Sequence, residues 1–126
     1  MRLLLFAAAG GAIGAGARHL VNIGFGRALG AGFPWSTLFV NVLGSLLMGA
    51  LIEMHALRFN VSTEVRTLLV TGVLGGFTTL SAFSLDFAVL IERGETLSAL
   101  AYALGSVVAS IGALFIGLSL MRAILT

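Results

Sequence analysis

Four apolar stretches, each long enough to cross the hydrocarbon core of a bilayer as a helix, take up most of this chain. A helix rises 1.5 Å per residue, so about 20 apolar residues are needed for the crossing. The stretches run over approximately 3–23, 35–57, 65–91 and 97–121, separated by short polar or glycine-rich joints at 24–34, 58–64 and 92–96. No joint is long enough for a soluble domain. The predicted fold is therefore an all-α membrane protein, one four-helix transmembrane domain over 1–126, with both termini on one side. Composition agrees: 59% of the residues are hydrophobic and 10% charged, against about 25% charged in soluble domains. Arg2 before Leu3-Leu4-Leu5-Phe6 imitates a signal peptide, but the apolar run continues to about Phe25 with no polar mature start. An uncleaved first span is the better reading.

The seven basic residues are all arginine, at positions 2, 18, 27, 58, 66, 93 and 122. They never cluster, so the basic pI of about 10.5 gives no nucleic-acid surface. As flanks of the spans they are topology signals. Arg2, Arg58, Arg66 and Arg122 fall to one side and Arg18, Arg27 and Arg93 to the other. A difference of one gives the positive-inside rule little to act on. The chain is thus expected to insert both ways, so that opposite copies can pair. It has no cysteine, hence no disulfide or thiolate metal site.

Small residues recur at four-residue spacing: Gly10 and Gly14, Gly72 and Gly76, and Gly105, Ala109 and Ala113. Such spacing lets membrane helices approach closely. Polar side chains inside the spans carry more information, because in hydrocarbon each needs a partner or a wet path. Thr37, Asn41 and Ser45 share one face of the second span, and Tyr102, Ser106 and Ser110 one face of the fourth. Serine and threonine hydroxyls also bond to the preceding turn of their own helix. An asparagine amide is not satisfied so cheaply. The few charged groups, Arg18 and His19, Glu53 and His55, and Asp86, lie toward span ends, where most can snorkel to an interface.

The third span reads Gly72-Val73-Leu74-Gly75-Gly76-Phe77-Thr78-Thr79-Leu80-Ser81-Ala82-Phe83-Ser84. A Gly-Gly pair followed by Thr-Thr and two serines is a poor continuous helix, and a break at mid-membrane depth is expected. A flexible but unbroken helix is the alternative. Carbonyls freed by a break are hard ligands for a small cation, and freed amides and hydroxyls suit an anion. No Ser/His/Asp set, HExxH or phosphate loop is present, and nothing in the sequence points to an enzyme.

Three segments together resemble one family. Gly10-Gly11-Ala12-Ile13-Gly14-Ala15 through Arg18 is similar to the first-helix motif of the Fluc-type (CrcB) fluoride channels. Thr37-Leu38-Phe39-Val40-Asn41-Val42-Leu43-Gly44-Ser45 resembles their second-helix motif, and Gly75 to Ser84 their third-helix signature. The resemblance implies an antiparallel, dual-topology homodimer in the inner membrane of a prokaryote. It implies fluoride pores and a structural, untransported sodium ion on the dimer axis, held by backbone carbonyls that align with Gly75 and Thr78. By the same resemblance the anion path takes Asn41, Leu80, Phe83, Tyr102, Ser106 and Ser110, and Arg18 is the motif arginine; the neighbouring hydroxyls of Thr37, Thr79 and Ser81 are expected to join that path. Leu80 stands where a pore phenylalanine is usual, and His19 where a tyrosine often follows the arginine.

The equipment suits the ion. Fluoride is small, strongly hydrated and a strong hydrogen-bond acceptor, so a path must replace its water with donors yet release it. The implied activity is passive export that relieves fluoride toxicity. A dual-topology multidrug transporter, the main rival, needs a carboxylate in its first span, and 3–23 contains none. A structural subunit of a larger membrane complex is the remaining class, favoured only if the purified chain conducts nothing.

Overall fold

A computed structural model of the chain describes residues 1–30, 32–57 and 60–126. Arg58, one of the topology signals, and the start of the 58–64 joint lie outside them. The described elements are all helical. α1 covers Arg2–Leu29 and α2 Trp35–Leu57. The third span is composite: α3 (Thr63–Arg66), a π-helical segment (Thr67–Leu74), α4 (Gly75–Phe77) and α5 (Ser81–Glu92). α6 covers Thr96–Leu125. Among the described residues, four stretches are long and apolar enough to cross a membrane, with Thr63–Glu92 counting as the third.

The second span has the expected bounds, and the others run longer. α1 passes through Gly24 and Gly26, each costing roughly 1 kcal/mol against alanine, and stops at Gly30, whose φ of 74° is left-handed. The third span starts two residues early because the Ser62 hydroxyl accepts the Val65 N–H at 3.2 Å, an N-cap. α5 turns into α6 at Gly94, φ 79°, with Glu95 N–H donating to Leu90 O at 2.9 Å.

α1 packs along the third span, and α2 along α6. Both pairs run parallel, since contacting positions ascend together. A Cβ on Gly10 would lie 2.8 Å from Gly72 Cα, and one on Gly14 2.0 Å from Val73 O. On the other seam, a Cβ on Gly49 would lie 2.1 Å from Leu114 O, and one on Gly117 2.2 Å from Leu46 O. Backbones this close leave no room for a side chain, which is what the small-residue spacing in α1 and the third span foretold. On α6 the expectation needs correcting. Ala113 is buried, but Gly105 and Ala109 are exposed, and the packed face carries Tyr102, Ser106, Ala113 and Gly117. α2 presents a polar stripe and two glycines, so α6 meets it with its hydroxyls rather than its outer small residues. Outward-facing aliphatic side chains such as Leu4, Leu20, Leu104 and Ile124 cover the exterior with an apolar surface suited to hydrocarbon.

Candidate functional site

Helical structure in the third span lapses where the sequence places its Thr-Thr pair. Thr78 is extended, with φ −84° and ψ 159°, and α5 begins at Ser81. The interruption is milder and later than expected. Gly75 and Gly76 are helical in α4, and Thr78 still sends both its amide and its hydroxyl to Leu74 O, each at 3.0 Å. Gly76 serves packing instead, since a Cβ there would meet Gly11 O at 2.7 Å.

Asn41 on α2 holds the interruption in place. Its Oδ1 accepts the Thr79 N–H at 2.7 Å and its Nδ2 donates to Thr79 O at 3.0 Å. In a continuous helix the Thr79 amide would go to Gly75 O and the Ala82 amide to Thr78 O. The first is taken by Asn41, and the second by the Thr79 hydroxyl at 3.1 Å. The Gly75 and Thr78 carbonyls therefore lose their helical donors. Gly76 O between them accepts from Arg18 Nε at 3.2 Å, so Arg18, predicted only as a supporting residue, braces the same segment from α1.

A cavity of about 450 Å³ opens beside this segment. α2 contributes Asn41, Ser45 and Met48 to its wall, the third span Thr78, Thr79, Leu80 and Phe83, and α6 Ser106, Ser110 and Leu114. Ser106 is 3% exposed, and its hydroxyl has no hydrogen-bond partner among the described residues. Thr78 and Ser84 behave otherwise, donating to the carbonyls of Leu74 and Leu80 in their own span. Leaving a buried hydroxyl unmatched costs roughly 1–3 kcal/mol. A donor that is not spent on its own helix and lines a cavity is equipped to receive an acceptor from outside.

Tyr102 and Thr37 do not line this cavity; each lies one helical turn before a wall residue, Ser106 and Asn41 respectively. The Tyr102 hydroxyl donates to Asp86 Oδ2 at 3.1 Å. The Phe83 ring lies against Tyr102, with centroids 5.0 Å apart. Beyond Thr37 a second cavity of about 290 Å³ includes Asn22, Ser36 and Asp86. Ser81 stands aside at the surface, 3.3 Å from the Thr79 hydroxyl. Leu80 lines the first cavity while 75% exposed.

Two carboxylates expected to snorkel are instead partnered inside the molecule: Asp86 by Tyr102, and the buried Glu53 by Arg122 at 3.0 Å. The sequence showed both acids, but their partners lie on other helices at separations that no spacing rule reaches.

A family model described as CrcB-like protein, Camphor Resistance (CrcB), matches residues 5–118. The chain is 62% identical over 122 residues to a fluoride-specific ion channel FluC from Chelativorans sp. (strain BNC1), covering 97% of this chain and 98% of that one. It is 54% identical over 121 residues to one from Nitrobacter winogradskyi, covering 96% of each chain. With one from Rhodospirillum centenum it shares 49% identity over 122 residues, 97% of each. Since the match runs from the first apolar helix into the last, the chain is a multi-pass membrane protein belonging to the CrcB family.

Proposed function

We propose that the chain is a passive fluoride channel that works as an antiparallel homodimer in a prokaryotic inner membrane and exports fluoride to relieve its toxicity. The observation that carries this reading is the unmatched, buried Ser106 hydroxyl in a cavity that also holds Asn41, Ser45 and Ser110. These are neutral donors at helical spacing, which is what a small, strongly hydrated anion needs in exchange for its water. The Asn41 amide keeps a second N–H beyond the one given to Thr79, and the Phe83 ring edge adds partial positive charge. Relatives that match nearly the whole chain are named as fluoride-specific ion channels. α1 contains no acidic residue, so the coupling carboxylate of a drug antiporter is missing from it.

A structural sodium ion fits the same reading. Carbonyls are suitable hard ligands for such a cation, and Gly75 O and Thr78 O are the two whose helical amides are diverted to Asn41 and to the Thr79 hydroxyl. Two copies would supply two pairs of them. When bound, the ion adds a fixed positive charge in a low-dielectric interior, which favours anions. The chain's own part is to open the backbone with Asn41, occupy Gly76 O with Arg18, and line the route with hydroxyls.

The test is reconstitution into liposomes loaded with potassium fluoride or potassium chloride, with efflux started by valinomycin. Fluoride should leave rapidly and chloride stay, and Ser106→Ala should slow fluoride efflux about tenfold, the loss of one hydrogen bond. Equal chloride efflux, or none of either ion, would overturn the reading.

A further inference from the structure

The cavity between α2 and α6 is bracketed by two polar ties. At one end is the Tyr102–Asp86 hydrogen bond. At the other is the Glu53–Arg122 ion pair, past the glycine seam at Gly49 and Gly117. The pair is lopsided. The Glu53 side chain is 11% exposed and that of Arg122 62%. A buried carboxylate depends on its partner, whereas a guanidinium at the rim has solvent to fall back on.

Glu53 follows Met48, a wall residue of the cavity, by five positions on α2, which is about 7.5 Å along the axis. At that range an uncompensated charge in a protein interior acts strongly on an ion in the cavity. A negative charge there opposes the entry of an anion. We infer that Arg122 is a conductance-determining residue that acts through Glu53, cancelling a carboxylate field that would otherwise close one end of the route to anions. This inference rests on the fluoride-channel reading. It goes beyond it in assigning a function to an ion pair that touches neither the cavity nor the interrupted segment.

The asymmetry sets the test, which uses the same reconstituted chain with fluoride efflux followed by a fluoride-selective electrode. Arg122→Met leaves the carboxylate alone and should slow fluoride efflux about tenfold. Arg122→Lys keeps the charge and should stay near wild type. Glu53→Gln removes the field at its source, so it should not slow efflux, and Glu53→Gln combined with Arg122→Met should recover the rate lost in Arg122→Met. Should Arg122→Met not assemble, Arg122→Gln takes its place, with gel-filtration elution as the check. Unimpaired efflux in the single Arg122 variant overturns the inference. So does a double variant as slow as the single, since that behaviour belongs to a mechanical tie between helix ends. A wild-type chain that passes no fluoride would remove the parent reading along with it; a conducting wild type with an insensitive pair would remove this inference alone.

Discussion

Asn41 does through one amide what neither of its isosteres can do. It accepts from the Thr79 N–H and donates to the Thr79 carbonyl, so it needs both an oxygen and a nitrogen. Asn41→Asp keeps the acceptor, loses the donor and adds a charge to the cavity wall. Fluoride efflux should fall by about a hundredfold, because a like charge within a few ångströms of an anion costs several kcal/mol away from bulk water. Fast efflux in that variant would take Asn41 out of the path. Leu80 poses the opposite question. Its side chain lines the cavity and is largely exposed, and a leucine cannot offer an anion the positive edge of a ring. Leu80→Phe should therefore raise efflux a few-fold, and an unchanged rate would mean that the position is no conducting contact. These residues were legible in the sequence as polar or odd members of apolar spans. That Asn41 opens the neighbouring helix was not, because the partner amide lies 38 positions away.

The third span shows what local sequence can and cannot place. Gly75-Gly76 with Thr78-Thr79 announced a weak helix, and weakness by propensity alone points to the glycines. The interruption instead falls at 78–80, where side chains compete for the backbone: Thr79 Oγ1 captures the Ala82 amide and Asn41 captures the Thr79 amide. Thr79→Val should remove that cap at about 1 kcal/mol, with Thr79→Ser retaining it, as read from thermal melting in detergent. The glycines are held by packing. A Cβ on Gly14 would sit 2.0 Å from Val73 O, while one on Gly16 meets nothing within 4 Å. Gly14→Ala should thus destabilise by roughly 1–3 kcal/mol, and Gly16→Ala should be neutral or slightly stabilising in the same melt. Equal melting of the two variants would mean that α1 does not pack on the third span as described. The π-helical turns over Thr67–Leu74 had no sequence signal.

At the scale of the whole molecule, hydropathy gave all four crossings, because length and apolarity are properties of each span alone. Which helix faces which was out of reach, since it depends on seams such as Gly49 against Leu114 and Gly117 against Leu46. The structure also reshapes the charge argument for insertion. Arg18 is engaged with Gly76 O and Arg122 with Glu53, so neither is a simple loop flank. Setting those two aside leaves Arg2, Arg58 and Arg66 against Arg27 and Arg93. The margin is again one, and the orientation rule still has almost nothing to act on. A population inserted both ways is the expected result, as an antiparallel pair requires. Because the chain has no native cysteine, single variants report cleanly. Gly32→Cys precedes α2, and Asn60→Cys precedes α3 across the membrane from it. In intact cells a membrane-impermeant maleimide should modify about half of each variant, since each copy shows only one of the two joints to the outside. Near-complete labelling of one position with none of the other would fix a single orientation, and antiparallel pairing within one membrane would then be impossible.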